Sequence, residues 1–391
     1  MKLNPGLLAL AVGAFGIGVT EFAPMGLLPV IANGLHVSIP VAGLLISAYA
    51  LGVMIGAPLM TLTTGRVPRR RLLIALAGIF TLGNLMAAVS TGYWMLLIAR
   101  VITSFNHGAF FGVGSIVAAG LVPPQRRAGA VAAMFMGLTI ANVVGVPLAT
   151  WAGEHLGWRA AFWGIAALGV ATMIALRLTL PALPVENGGN AIAELRVLTR
   201  GRVLGALALT VVGSSAMFTV FTYIAPILRE ATHASLGFVT AMLVTYGVGL
   251  TVGNWLGGRF ADRSVDRTLI VTLASLAAIL AAFALLMPLA APTAILIFLW
   301  GVASFALVPP LQVRVMTAAA DAPNLASSVN IGAFNLGNAI GAALGGGVIA
   351  AGLGYPAVAL AGAITSFIGF GIVLLTTRGR KTAEVRGLCG A

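Results

Sequence analysis

Charge is what this sequence has least of. Only 8% of its 391 residues are charged, against about 25% in a soluble domain, while 60% are hydrophobic. One water-soluble core has no room for so much apolar surface, so the chain reads as an all-α protein threaded repeatedly through a membrane. A single cysteine, Cys389, excludes an intramolecular disulfide. Four histidines and no Cys/His cluster argue against a metal site. No nucleotide-binding loop, cofactor motif or soluble catalytic domain is visible, so neither an enzyme nor a cofactor is expected.

What is present is a series of apolar runs. A spanning helix needs about 20 apolar residues, and scanning at that length gives twelve candidates: 6–32, 40–62, 72–91, 94–122, 128–152, 159–180, 203–228, 237–258, 268–289, 293–317, 325–352 and 355–377. The first is too long for a cleaved signal core and leads into eleven more. Placing the N-terminus in the cytoplasm puts Arg66, Arg69, Arg70, Arg71, Arg126, Arg127, Arg196, Arg200, Arg202, Arg259, Arg263 and Arg267 in inner links. Lys2, Arg378, Arg380, Lys381 and Arg386 join them at the termini. The outer links are almost bare of basic residues, which is the positive-inside pattern. Both termini are therefore expected to be cytoplasmic. The formal charge of +13 is topological and needs no nucleic-acid partner. Arginine outnumbers lysine 20 to 2, which suggests a GC-rich bacterial genome and hence a bacterial inner membrane.

One long polar link, 181–202, divides the spans six and six. This predicts an N-terminal bundle over 1–180, a cytoplasmic linker over 181–202, a C-terminal bundle over 203–377 and a cytoplasmic tail over 378–391. The two halves resemble each other. "AYALGVMIGAPLMTLTTGRVPRRRLLIAL" (48–76) and "TYGVGLTVGNWLGGRFADRSVDRTLIVTL" (245–273) share a Tyr, two Gly, two Arg and three Leu at an offset of 197. "ANVVGVPL" (141–148) and "GNAIGAAL" (337–344) share Asn, Gly and Leu at an offset of 196. Parallel six-span repeats place a substrate site between the halves, near mid-membrane. Gly337, Gly341 and Gly345, and likewise Gly137, Gly145 and Gly153 with alanines between, repeat at helical spacing. Such rows permit close helix packing, either fixed or as a surface on which the halves rock. Pro147, just after Gly145, is expected to kink its helix.

Three ionisable residues lie well inside spans: Glu21 in the first, Arg100 and His107 in the fourth. Buried charges in lipid usually face partners or a water-filled cavity. At 1.5 Å per residue, Glu21 is ~15 Å and Arg100 ~9 Å from the same membrane face, so a long arginine side chain can bridge them. Apolar surroundings favour the neutral form of a carboxylic acid and a guanidinium favours the charged form. A site with alternating water access then loads and releases a proton. His107, which titrates near neutral pH when unperturbed, is a second carrier. The alternative is a static buried pair, Glu21–Arg100, that fixes helix packing. Phe22, Met25, Asn106, Asn142, Phe218, Tyr223, Asn335 and Asn338 are the candidates for substrate contact. For Asn142, Asn335 and Asn338, interhelical hydrogen bonding is at least an equal alternative.

The chain resembles the major facilitator superfamily, and within it the twelve-span drug:proton antiporter family, in the branch of sugar-efflux and arabinose-efflux-like transporters. The residues carrying the resemblance are "TEFAPMGLLPVIA" (20–32), "GRVPRRRLL" (65–73), "RVITSFNHGAFFG" (100–112), "GLTIANVVGVPLATWAGEHLGWR" (137–159), "GGRFADR" (257–263), "PPLQVRV" and "NIGAFNLGNAIGAALGG". The resemblance implies two pseudo-symmetric six-helix bundles and gating by the loop motifs, here Gly65, Arg66 and Arg70, and Asp262, Arg263 and Arg267. The proline kink makes Gly145 and Pro147 further gating candidates. Where the family's first loop motif has Asp, this chain has Gly65, while Asp262 keeps the acid in the second.

The expected function is proton-coupled efflux of a small organic molecule such as a drug, sugar or nucleoside, by alternating access, from a monomer whose partners are substrate, protons and lipid. The alternative is a proton-independent facilitator or importer of a sugar or nucleoside, with Glu21 and Arg100 structural.

Overall fold

A computed structural model describes residues 4–64, 67–123, 127–181, 196–321 and 323–388. Twelve helices in it are long and apolar enough to cross a bilayer: α1 (Pro5–Gly34), α2 (Ile39–Met60), α3 (Arg69–Ala88), α4 (Tyr93–Gly120), α5 (Ala130–Leu156), α6 (Trp158–Thr179), α7 (Gly201–Ala231), α8 (Leu236–Ala261), α9 (Val265–Leu286), α10 (Ala290–Ala318), α11 (Ala326–Ala350) and α12 (Gly354–Thr377). Each overlaps its sequence-read run to within a few residues. The last helix continues as backbone to Leu388, into the stretch read from sequence as a polar tail. Gly65, Arg66 and most of the 181–202 link lie outside the described residues.

The helix starts are written locally. Asn4 accepts the Gly6 N–H at 2.9 Å with Pro5 opening α1, and Ser38 and Ser235 cap α2 and α8 in the same way. These side chains satisfy donors left free in a first turn, and proline fits there because it has no N–H to lose. Proline further along has the opposite effect, because it removes the bond to the carbonyl four residues back. Pro226 coincides with a break in α7 at Thr222–Tyr223. Pro309 and Pro310 follow a break in α10 at Leu307. Pro147 follows a π-helical turn, Ala141–Gly145, in α5. The kink expected there thus takes the form of a widened turn, a feature common at functional positions.

The glycine rows pack helices inside each bundle. On α5, Gly137 lies against the backbone of Ala11, Gly145 against Val19 and Phe15, and Gly153 against Leu27, all on α1. On α11, Gly337 lies against Val211 and Ser215, Gly341 against Ser215 and Thr219, and Gly345 against Thr219 and Tyr223, all on α7. In this arrangement both rows pack within a bundle, and neither forms a surface between the halves. With lipid as solvent, such close backbone approach supplies the association that hydrophobicity does not. The repeat is visible at the level of contacts. Gly52 meets Val101 and Ser104 across α2 and α4, and Gly249 meets Phe298 and Gly301 across α8 and α10, every position displaced by 197.

The halves meet toward the ends remote from the termini. Ser47 on α2 donates to the Ala339 carbonyl on α11 at 3.1 Å. Gly26 on α1 faces Leu243 on α8, and Gly247 on α8 lies against the backbone of Asn142 and Val143 on α5. That last contact seats the π turn of α5 on the opposite bundle. Toward the terminal end, the ion pairs Arg200–Asp321 (2.5 Å) and Arg314–Asp266 (2.7 Å) each stay within the second half.

Candidate functional site

The centre of the site begins with a proline. Pro24 lacks the N–H that would bond the Thr20 carbonyl one turn back. Arg100, reaching over from α4, donates to that carbonyl from Nη1 at 2.6 Å. The guanidinium also lies over the Tyr49 ring, 4.1 Å from its centroid, a cation–π geometry. Its Nε and Nη2 are buried with no hydrogen-bond partner among the described residues. Arg100 therefore reaches α1, as the depths predict, but it grips the backbone beside Glu21. The direct hydrogen-bonded pair anticipated between Glu21 and Arg100 is not formed, because Pro24 offers a free carbonyl at the same depth.

Glu21 instead faces His107, whose Nδ1 is 3.9 Å from Oε2. The same Nδ1 is 3.1 Å from the Tyr49 hydroxyl. Glu21, Tyr49, Arg100 and His107 are all buried. His107 is brought into place by a break in α4, where the first segment stops at Ser104 and the second starts at His107. At the break the Asn106 amide donates to the Thr103 carbonyl at 2.5 Å, a side-chain substitute for a helical bond. One acid, one imidazole, one guanidinium and one phenol thus cluster, buried, between α1, α2 and α4.

Tyr49 was not among the residues singled out from sequence. Its signal was present in the repeat, where Tyr49 aligns with Tyr246. Tyr246 points its hydroxyl at Ser304, 3.4 Å away, and Ser304 aligns with His107 at the same offset. The second half therefore repeats the tyrosine-to-helix contact with Phe218 and Ile297 where the first half has Glu21 and Arg100.

The substrate candidates separate into groups. Phe22 meets Phe218 and Phe221 with ring centroids 6.1 and 6.2 Å apart, joining α1 to α7 across the halves, and Met25 is buried one turn further along. Asn335 and Asn338 are buried three residues apart on α11, with the side-chain oxygen of each lacking a partner among the described residues. By helical spacing they lie between the α7-facing glycine row and the Ala339 position that meets α2. Asn142 donates to the Leu138 carbonyl at 3.0 Å. Asn106 is elsewhere: it shares a small void with Gly13, Ile17, Ala77, Phe80, Phe110 and Thr172 inside the first bundle. Tyr223 lines a cavity between α2 and α11 together with Pro40, Val41, Leu44 and Gly346. Its hydroxyl donates to Ala342 at 2.8 Å and its ring fills space left by Gly43, Gly345 and Gly346, so it closes one end of the interface.

Among the gating candidates, Gly145 and Pro147 bracket the end of the π turn. Arg70 donates from Nη2 to the Arg177 carbonyl, tying α3 to α6 within the first half. Asp262 and Arg263 are exposed at the end of α8, with the Arg263 guanidinium over Phe260. The backbone N–H of Arg267 is capped by Ser264. The acid of this loop that forms the buried-side pair is Asp266, with Arg314. At the opposite end, Arg229 on α7 is paired with Glu154 on α5, a contact between halves that sequence reading did not identify. Such part-exposed pairs contribute about 0.2–1 kcal/mol. Glu154→Gln is accordingly expected to favour opening of this end by no more than about fivefold, read as faster labelling of a cysteine introduced at Ser47.

Twelve spans in two related halves, with a charged cluster buried between helices, define a membrane transport protein. The model of the Major Facilitator Superfamily matches residues 10–330 and 207–389. The inner membrane transport protein YdhP of Escherichia coli K12 is 56% identical over 98% of both chains. The "Probable sugar efflux transporter" of Helicobacter pylori 26695 is 30% identical over 95% of both. A crystal structure of a bacterial homologue of the human lysosomal transporter Spinster superposes with a TM-score of 0.76 at 16% identity, covering 97% of this chain and 98% of that one. The chain belongs to the Major Facilitator Superfamily, as a multi-pass inner-membrane transporter and not an enzyme.

Proposed function

We propose that the protein exports a small organic molecule in exchange for protons, with Glu21 as the group that carries the proton. The observation behind this is the burial of Glu21 beside His107, with two Arg100 nitrogens, Nε and Nη2, that have no partner among the described residues. A carboxyl in such a place has one set of partners when neutral and another when charged, which is what coupling to a conformational change requires. Phe22, Met25 and Phe218 offer apolar surface and the oxygens of Asn335 and Asn338 offer acceptors, a combination suited to a hydroxyl-bearing organic substrate. The sugar-efflux name of one relative makes sugars the first substrates to try. Both termini on the cytoplasmic side and function as a monomer complete the reading.

The test uses purified protein in proteoliposomes. Labelled sugar inside is expected to leave faster when the outer pH is lowered at constant membrane potential, and efflux indifferent to the gradient would support a facilitator instead. Arg100 bonded to the Thr20 carbonyl favours a structural part for that residue under either reading.

A further inference from the structure

The Tyr49 side chain touches two of the three other members of the charged cluster. Its ring carries the Arg100 guanidinium and its hydroxyl meets His107 Nδ1 at 3.1 Å. That same nitrogen is the one nearest Glu21, at 3.9 Å. Nδ1 has one position for a proton or a lone pair. When it accepts from the tyrosine hydroxyl, it has no hydrogen to give Glu21, and the imidazole proton resides on Nε2. When it carries hydrogen, it can donate to the Glu21 carboxylate. The tyrosine hydroxyl thus competes with the acid for one nitrogen, while its ring holds in place the guanidinium whose free N–H groups are the other donors available.

We propose that Tyr49 is a positioning residue that links the protonation of Glu21 to the tautomer of His107 and the seat of Arg100. The inference rests on the reading of Glu21 as proton carrier. The groups packed around the cluster from other helices are Asn84 of α3 on Thr20, Ala141 of α5 on Gly18, and Phe218 and Phe221 of α7 on Phe22. None of these titrates, nor does Phe111, packed on the His107 ring; among the described residues the titratable groups in contact within the cluster are Glu21, Tyr49, Arg100 and His107. The second half supplies an internal control. Tyr246 makes the corresponding contact to Ser304 at 3.4 Å, with Phe218 and Ile297 in place of the acid and the arginine. A purely architectural tyrosine would behave alike in both halves.

The experiment compares Tyr49→Phe, which keeps the ring and removes the hydroxyl, with Tyr246→Phe. Two readouts are taken: the pH dependence of substrate flux in proteoliposomes, and the ¹⁵N resonances of the His107 ring in detergent. Only four histidines need assigning. Tyr49→Phe is expected to move the pH of half-maximal flux by about 0.5–1 unit, the equivalent of one hydrogen bond, and to alter the His107 Nδ1 resonance. Tyr246→Phe should leave both where they are. Thermal unfolding of both variants confirms that they are folded. A pH profile that does not move in Tyr49→Phe while the wild type is pH-dependent overturns the proposal, as does an unchanged His107 resonance. A wild-type flux that ignores pH overturns the underlying proton-carrier reading. The histidine resonance then still reports on the tyrosine contact, so the two failures are distinguishable.

Discussion

Glu21→Gln is expected to leave a folded carrier that no longer responds to a pH gradient. Glutamine keeps the volume and the hydrogen-bonding capacity of the neutral acid and cannot lose a proton. The substituted side chain therefore remains compatible with its buried place beside His107, where an unpaired charge is costly. With one proton exchanged per substrate, a gradient of one pH unit sustains about a tenfold substrate gradient. The variant should sustain none. Exchange of labelled for unlabelled substrate at equal pH should survive, since it needs only that the carrier change conformation with a neutral residue at position 21. Loss of both activities together would indicate a structural role for Glu21. Gradient-driven accumulation that persists in Glu21→Gln and disappears in His107→Asn would assign the proton to His107.

The sequence made the acid, the arginine and the histidine conspicuous because each is expensive in an apolar span. It also placed them at compatible depths. It did not reveal their pairing, for two physical reasons. Pro24 creates a free acceptor on α1, so Arg100 bonds to backbone and its bond to Glu21 is forgone. Tyr49 carries no charge, and an uncharged aromatic in an apolar helix is not anomalous, although the repeat placed it opposite His107 just as it placed Tyr246 opposite Ser304. The twelve spans and the two-bundle fold were legible because length and hydropathy determine them almost alone. Contacts between bundles were less legible. Arg229 and Glu154 sit at helix ends where charge is ordinary, and nothing local shows that α5 and α7 meet. Asn106 shows the same limit: beside His107 in sequence, it turns at a helix break into a small void inside the first bundle.

Gly43→Leu is expected to disfavour the closure seen here while leaving the fold intact. Gly43 lies on α2 and the Tyr223 side chain on α7, so they touch only while the two bundles are together at this end. A Cβ on Gly43 would come within 2.9 Å of Tyr223 Cζ, closer than real Cβ contacts, and the remaining atoms of leucine have no room. The ring cannot easily give way, because its hydroxyl is bonded to the Ala342 carbonyl and its other side abuts Gly345. Overpacking of this kind costs about 1–3 kcal/mol. Here it is felt only in the closed arrangement, so it shifts the opening equilibrium by about 5–150-fold. Gly345→Leu is the contrasting substitution. Gly345 and Tyr223 belong to the same bundle, the clash is present in every conformation, and the expected result is lowered thermal stability. In a Cys389→Ser background, a cysteine at Ser47 should label rapidly with a water-soluble maleimide in Gly43→Leu and slowly without it, because Ser47 is buried against Ala339 in the closed arrangement. Substrate flux in Gly43→Leu should fall, by up to about the same 5–150-fold, since a carrier that closes one end less often alternates less often. Normal flux with Ser47→Cys still protected would show that the Tyr223 contact with Gly43 takes no part in closing the pathway.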